Sequence, residues 1–219
     1  PAYALLRSLV GSEMCIRDRV RMSKMITSPG SVATAFNPGA GANDFVNVVA
    51  LLPDGKFMIG GDFTQVNGLF RDRLARLNPD GTLDPSFALG QGVNDSVRAI
   101  AIQPDGRAIL AGFFTSVNGE NRNRVARLNY DGSVDGTFNP GGGADNPVQA
   151  VVLQPDGRVL VAGDFSTYTG YNRSRLARLT VDGTLDHGFD IGTGADGCVL
   201  RLGGNGGRSP WNDLYYHGD

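Results

Sequence analysis

The sequence predicts an all-β fold assembled from repeated four-stranded units. Three observations carry this: a period of 51 residues, two Asp-Gly turns within each period, and no segment with a sustained 3.6-residue apolar pattern. Phe36, Phe87, Phe138 and Phe189 mark the period. Between them Pro53-Asp54-Gly55 returns as Pro104-Asp105-Gly106 and Pro155-Asp156-Gly157, and Arg73-Leu74-Ala75-Arg76-Leu77 returns at 124–128 and 175–179. A fixed period of this length means one supersecondary unit stacked on copies of itself. Thirty-two glycines and a charged fraction of 19% in 219 residues suit a turn-rich β protein.

Four pieces of each unit read as strands. The first is 46–51, with copies at 97–102 and 148–153, whose continuous apolar centre predicts burial on both faces. The second is 57–61, with copies at 108–112 and 159–163. Its small residues Gly60, Ala111 and Ala162, followed by Gly61, Gly112 and Gly163, predict close backbone approach. The third, 73–78 and its copies, alternates more and is expected nearer solvent. The fourth, 82–87, carries Pro85 in its first copy and reads as a short edge strand. Asp54-Gly55 joins strands one and two, and Asp80-Gly81 joins three and four, because a tight hairpin needs the positive φ that Gly supplies without steric cost.

Four antiparallel strands in about 50 residues match a β-propeller blade. A β-solenoid is the alternative, but its shorter coils need no pair of hairpins per repeat. The expected organisation is blades at 37–87, 88–138 and 139–189. Residues 20–36 would end a preceding blade and 190–219 would start a further, truncated one. The second-strand text reappears at 213–219 four residues later than the period requires, which predicts an insertion around 203–212 that includes Trp211. Three blades and a remainder cannot close a propeller, so the chain reads as a fragment whose open ends would leave it marginal or self-associating.

Residues 1–19 read differently. Leu9-Val10-Gly11-Ser12-Glu13-Met14-Cys15-Ile16-Arg17-Asp18-Arg19 resembles a translated sequencing adapter, so 1–19 is expected to be a non-native leader. No repeat carries a cysteine, so neither a disulfide framework nor a thiolate metal site belongs to the unit.

The run Phe36-Asn37-Pro38-Gly39-Ala40-Gly41-Ala42-Asn43, then 46–51, Pro53-Asp54-Gly55-Lys56, Gly61-Asp62-Phe63-Thr64, Val66-Asn67-Gly68 and 73–78, resembles the delta-60 repeat of bacterial β-propellers. The resemblance spans about 31–196 and implies an extracellular or bacterial cell-surface setting and no catalytic residues. Two positions depart from it: Phe113 replaces Asp62 and Asp164, and Tyr168-Thr169-Gly170 replaces Val-Asn-Gly.

Charge narrows the function. The net charge is −2; residues 1–30 hold five Lys+Arg and two Asp+Glu, leaving 15 against 20 in the rest. That balance argues against nucleic acid, which needs a basic face. No apolar run approaches a membrane-spanning length, so no membrane insertion is expected. His187 and His217 do not recur, and no nucleophile–base arrangement emerges. The expected role is a non-catalytic binding or structural module with a protein or glycan ligand. The competing class is an extracellular, carbohydrate-active propeller enzyme whose site lies elsewhere.

In a four-strand meander the Asp-Gly turns crowd one face, and loops 63–72 and 87–96 with their copies crowd the other. The loop face is the expected binding face, with Asn43, Asn94, Asp145, Asp196, Tyr168 and Tyr171 as candidates. Asn and Asp also simply tighten turns. No cofactor is expected. Ca²⁺ is weighed at Asn78-x-Asp80-Gly81-x-x-Asp84 and its copies, where hairpin chemistry explains the same residues. Arg73, Arg76 and their copies are expected to pair with Asp84, Asp135 and Asp186, structurally and with modest value if exposed.

Overall fold

The computed structural model describes residues 36–192 and 194–195, with the short strands Ile26–Ser28, Ser31–Val32, Val199–Leu202 and Leu214–Tyr216. The leader, Asp196, both cysteines, His217 and the insertion around 203–212 lie outside the described residues.

Each unit is an antiparallel sheet centred on its second piece. The leading strand (Val46–Leu51, Val97–Ile102, Val148–Leu153) pairs with the middle strand (Phe57–Gly61, Ala108–Gly112, Val159–Gly163). The middle strand pairs in turn with the third (Leu74–Leu77, Val125–Leu128, Leu176–Leu179). The hairpin turns are as the sequence predicts. Gly55 has φ 85° and donates to Leu52 at 3.0 Å, and Gly81 has φ 89° and donates to Asn78 at 2.9 Å.

The sheets stack, and the core lies between them. Met58 and Leu74 of the first sheet pack with Leu110 and Leu128 of the second around Phe87, while Phe57, Ile59, Ala75 and Leu77 on the opposite face pack with Phe36. Both faces of each middle strand are therefore covered, and all five of its residues are buried. A single unit could not bury its apolar faces alone, which is the physical basis of the repeat.

This sandwiching reverses two expectations. The leading strand is only half-buried, with Val49 40% exposed. The third strand is buried along its length in the first two units, Arg76 included; in the first, Leu74 packs against the second unit while Ala75 and Leu77 lie under Phe36, Val66 and Leu83.

The fourth piece is reduced to one bridge residue, Leu83 opposite Leu77, repeated at Val134 and Leu185. Asp84 causes this. Its carboxylate accepts from the Ser86 amide at 2.9 Å while its carbonyl accepts from Phe87, which bends the chain into a turn where a strand would extend.

The segment 63–72 forms a hairpin, Gln65–Val66 against Leu69–Phe70, recurring as Ser116–Val117 with Glu120–Asn121 and as Thr167–Tyr168 with Tyr171–Asn172. Asn67 (φ 54°) and Gly68 (φ 76°) give the two-residue turn that such hairpins favour, so Asn-Gly was the available signal. The connection 87–96 crosses between faces: Ala88 donates to Asp131 in the turn, and Asn94 donates to Ser116 in the hairpin.

The glycines that end the middle strands are required by close approach. A Cβ at Gly61, Gly112 or Gly163 would strike the carbonyl oxygen of Phe45, Ser96 or Pro147, and each of those oxygens accepts from the amide after the glycine. This contact faces an irregularity in the leading strand between Val46 and Val48, repeated in each unit. Among the described residues no helix is long and apolar enough to cross a membrane, which says nothing of a β-barrel.

Candidate functional site

The charged residues of the repeat converge on a joint between units. Arg76 Nε donates to Asp84 Oδ2 at 2.7 Å, Arg127 to Asp135 at 2.8 Å and Arg178 to Asp186 at 2.9 Å. The predicted pairs thus form for Arg76, Arg127 and Arg178 but not for Arg73, Arg124 and Arg175: Arg73 lies 3.9 Å from Asp72, and Arg124 and Arg175 donate to the carbonyls of Phe113 and Ala195. In the first two units the pairs that form are buried rather than exposed, with side chains at most 6% accessible. A second cation joins each carboxylate: Lys56 at 2.9 Å, Arg107 at 3.0 Å and Arg158 at 3.5 Å. Each guanidinium also lies over the phenylalanine that marks the period, Arg76 on Phe87 at 4.8 Å and Arg127 on Phe138 at 4.7 Å.

The same arginines reach forward. Arg76 donates to the Tyr130 carbonyl, and Arg127 donates to the Val181 carbonyl at 2.9 Å. Phe87 presses on Gly132 in the next unit, where a Cβ would lie 3.1 Å from the ring. Burial pushes the carboxyls of Asp84 and Asp135 up. Hydrogen bonds from Lys56, Ser86 and Arg76 at Asp84, and from Thr137, Arg127 and Arg107 at Asp135, outweigh it and hold both well below the usual carboxylate range. The other arginines of the motif, Arg73, Arg124 and Arg175, sit before the third strand with φ of 63–68°.

The oxygens weighed for Ca²⁺ are drawn apart by this joint. Asp80 Oδ1 accepts from the Thr82 amide at 2.9 Å and from its hydroxyl at 2.7 Å, whereas Asp84 faces Arg76 and Lys56. Among the described residues no group of three or more His, Cys, Asp or Glu is arranged to hold a metal ion.

The candidate Asn and Asp residues cap the short hairpins. Asn43 Oδ1 accepts from the Thr64 and Gln65 amides, both at 2.9 Å. Asn94 does the same for Thr115 and Ser116, both at 2.9 Å. Asp145 accepts from Ser166 at 2.9 Å and Thr167 at 3.0 Å. All three residues are exposed.

Tyr168 is not a surface residue. It is 0% exposed, packs edge-on to Phe165 in the core, and fills the position of Val66 and Val117 because alternate hairpin residues face the core. Its hydroxyl has no hydrogen-bond partner among the described residues. Burial pushes the phenol up. Tyr171 is 53% exposed and meets the His187 ring at 4.6 Å. Phe113 is explained by a coupled change. Asn47 donates to Asp62 at 3.4 Å and Gln149 to Asp164 at 2.8 Å, while Arg98 in the same register stacks on Phe113 at 4.7 Å.

Among the described residues, two clefts lie between the second and third units. The smaller, about 370 Å³, lies beside the hairpin and includes Arg124, Asp145 and Thr169. The larger, about 590 Å³, lies on the Asp-Gly turn side, between Arg107 and Arg127 of one unit and Arg158, Val181 and Thr184 of the next. Sequence reasoning favoured the loop face and missed this cleft. The signal was the change from Tyr130 to Val181 within an otherwise repeated turn.

A solved structure of a protein of unknown function from Bacteroides caccae matches with 15% identity and a TM-score of 0.36. The match covers 63% of this chain and 46% of that one, so the chain spans less than half the length of that protein. No curated protein sequence matches. The model for a domain of unknown function (DUF5122) beta-propeller matches residues 52–87, 103–138 and 154–189, each match running from the first Asp-Gly turn to the phenylalanine of the joint. That description carries the repeat β-propeller expected from the sequence, without the delta-60 name. The three repeats of this chain belong to the DUF5122 β-propeller family.

Proposed function

We propose that the chain is a non-catalytic binding or structural module of a secreted or cell-surface bacterial β-propeller protein, with a protein or glycan as ligand. One observation carries this reading. The repeated charged residues are engaged with one another between units, and the open volume lies where the third unit departs from the second. A scaffold whose ion pairs serve packing leaves its clefts free to vary in shape. The extracellular setting comes from the delta-60 resemblance of the motifs.

The test is a glycan and protein array probed with the whole chain, followed by titration of each hit. Saturable binding without chemical change in the bound molecule supports the module. Turnover of a glycan by the purified chain would replace this reading with the enzymatic one.

A further inference from the structure

On the hairpin side, the joint between the second and third units departs from the joint before it, and the departures meet in the 370 Å³ cleft. Gly142 lines this cleft where the earlier joint has Gln91. In that earlier joint Gln91 lies over Gly119, where a Cβ would be 2.9 Å from its Oε1. Gly142 has no side chain to place over the matching Gly170, and nothing lies within 4 Å of a Cβ there. Asp72 stands 3.9 Å from Arg73, whereas Asn123 is neutral in the same register and Arg124 makes no ion pair among the described residues. Asp145 lines the cleft where the earlier joint has the amide of Asn94.

The lining groups have bonding capacity to spare. Arg124 is half-buried; its Nη1 donates to the Phe113 carbonyl, its Nε is buried without a partner, and its Nη2 makes no hydrogen bond among the described residues. Asp145 is exposed; its Oδ1 serves the hairpin amides, and its Oδ2 accepts the Ser166 hydroxyl at 2.6 Å and has a second lone pair. Asn123 is exposed and donates to the Gly142 carbonyl at 2.9 Å, which leaves its own amide oxygen as an acceptor.

We propose that this cleft binds a sugar residue of a glycan. The inference rests on the reading of the chain as a binding module and selects between its two ligand classes. No aromatic or large aliphatic side chain lines the cleft, so an apolar ligand would leave polar groups unpaired. A free anion would meet Asp145 and a free cation would meet Arg124, so a neutral ligand fits the lining best. That ligand must accept from Arg124 and donate to Asp145 and Asn123, and neighbouring hydroxyls do both. The volume is within the range of small-ligand sites.

The experiment titrates the full chain by NMR with the methyl α-glycosides of glucose, galactose, mannose and N-acetylglucosamine, read at the amides of Gly142, Gly143 and Gly170. Saturable shifts with at least one sugar are expected. Gly142→Gln restores the side chain of the earlier joint and should weaken binding at least about tenfold. It is expected to fold, since a Cβ there meets nothing closer than 3.8 Å and its φ is not positive. Asp145→Asn keeps the hairpin cap, as Asn94 does, and should weaken binding at least about threefold; a residue that only caps the hairpin would leave the affinity unmoved. Circular dichroism checks both folds. No saturable shift with any of the four sugars, or unchanged affinity in folded Gly142→Gln or Asp145→Asn, would each overturn the proposal. An array ligand that binds Gly142→Gln as well as the parent chain would keep the module reading and leave the sugar cleft refuted.

Discussion

Arg127 donates to the main-chain carbonyl of Val181 at 2.9 Å, a bond spanning 54 positions and joining two sheets. The same guanidinium holds Asp135 at 2.8 Å and is 4% exposed. One side chain thus closes the turn of its own unit and fastens the next. Removing one partner of a buried pair leaves the other charge uncompensated.

Asp135→Ala is therefore expected to cost about 3 kcal/mol or more in urea unfolding. Glu120→Ala breaks the Arg122–Glu120 pair, whose carboxylate is half exposed, and should stay within about 0.5 kcal/mol. Equal small losses would show that the joint is not a source of stability.

The same carboxylates set an acid limit. Asp84 and Asp135 lie below the ordinary range in the fold, so the unfolded chain binds their protons more tightly. Their stabilisation is present in full above the unfolded value of about 4 and is lost as pH falls from there toward the folded values. Urea midpoints should hold level from pH 7 to about 5 and then fall. The double variant Asp84→Asn, Asp135→Asn should show a shallower fall; matching slopes would assign the acid sensitivity to other groups.

Gly132→Ala should destabilise by about 2 kcal/mol, because φ is 96° and the new methyl would press on Phe87. Gly136→Ala is the control: nothing lies within 4 Å of its Cβ position, and its φ is not positive. A thermal melt of each variant decides, and similar melting temperatures would count against the contact.

Thr169 holds φ 52° where the other units place Asn67 and Asn118. A β-branched residue is strained there, whereas asparagine tolerates it. Thr169→Asn should raise stability by about 1 kcal/mol in denaturant melts. A loss would mean that the Thr169 methyl, which packs near Gly141, outweighs the backbone strain.

Tyr168→Phe removes a buried hydroxyl with no partner among the described residues and keeps the ring against Phe165. Stability should hold or rise by up to about 1 kcal/mol. A clear loss in the same melts would reveal a hydrogen bond to the hydroxyl.

By itself the sequence determined the repeat, the first three strands of each unit and the Asp-Gly turns, because each depends on residues within a few positions of one another. Gly55 and Gly81 need positive φ wherever the chain lies in space. The pairing of Arg76 with Asp84 was also legible, since the two are eight residues apart across one hairpin. Only the tertiary structure decided which strands were buried. Burial comes from what packs across each face, so the third strand, which alternates in sequence, is enclosed, and the apolar leading strand is only half-buried. It also moved Tyr168 from surface to core and placed Asn43, Asn94 and Asp145 as hairpin caps. The period marks Phe87 as repeated. Stacking shows why: its ring is held between Arg76 of one unit and the Gly132 turn of the next, a contact that exists only once two units meet.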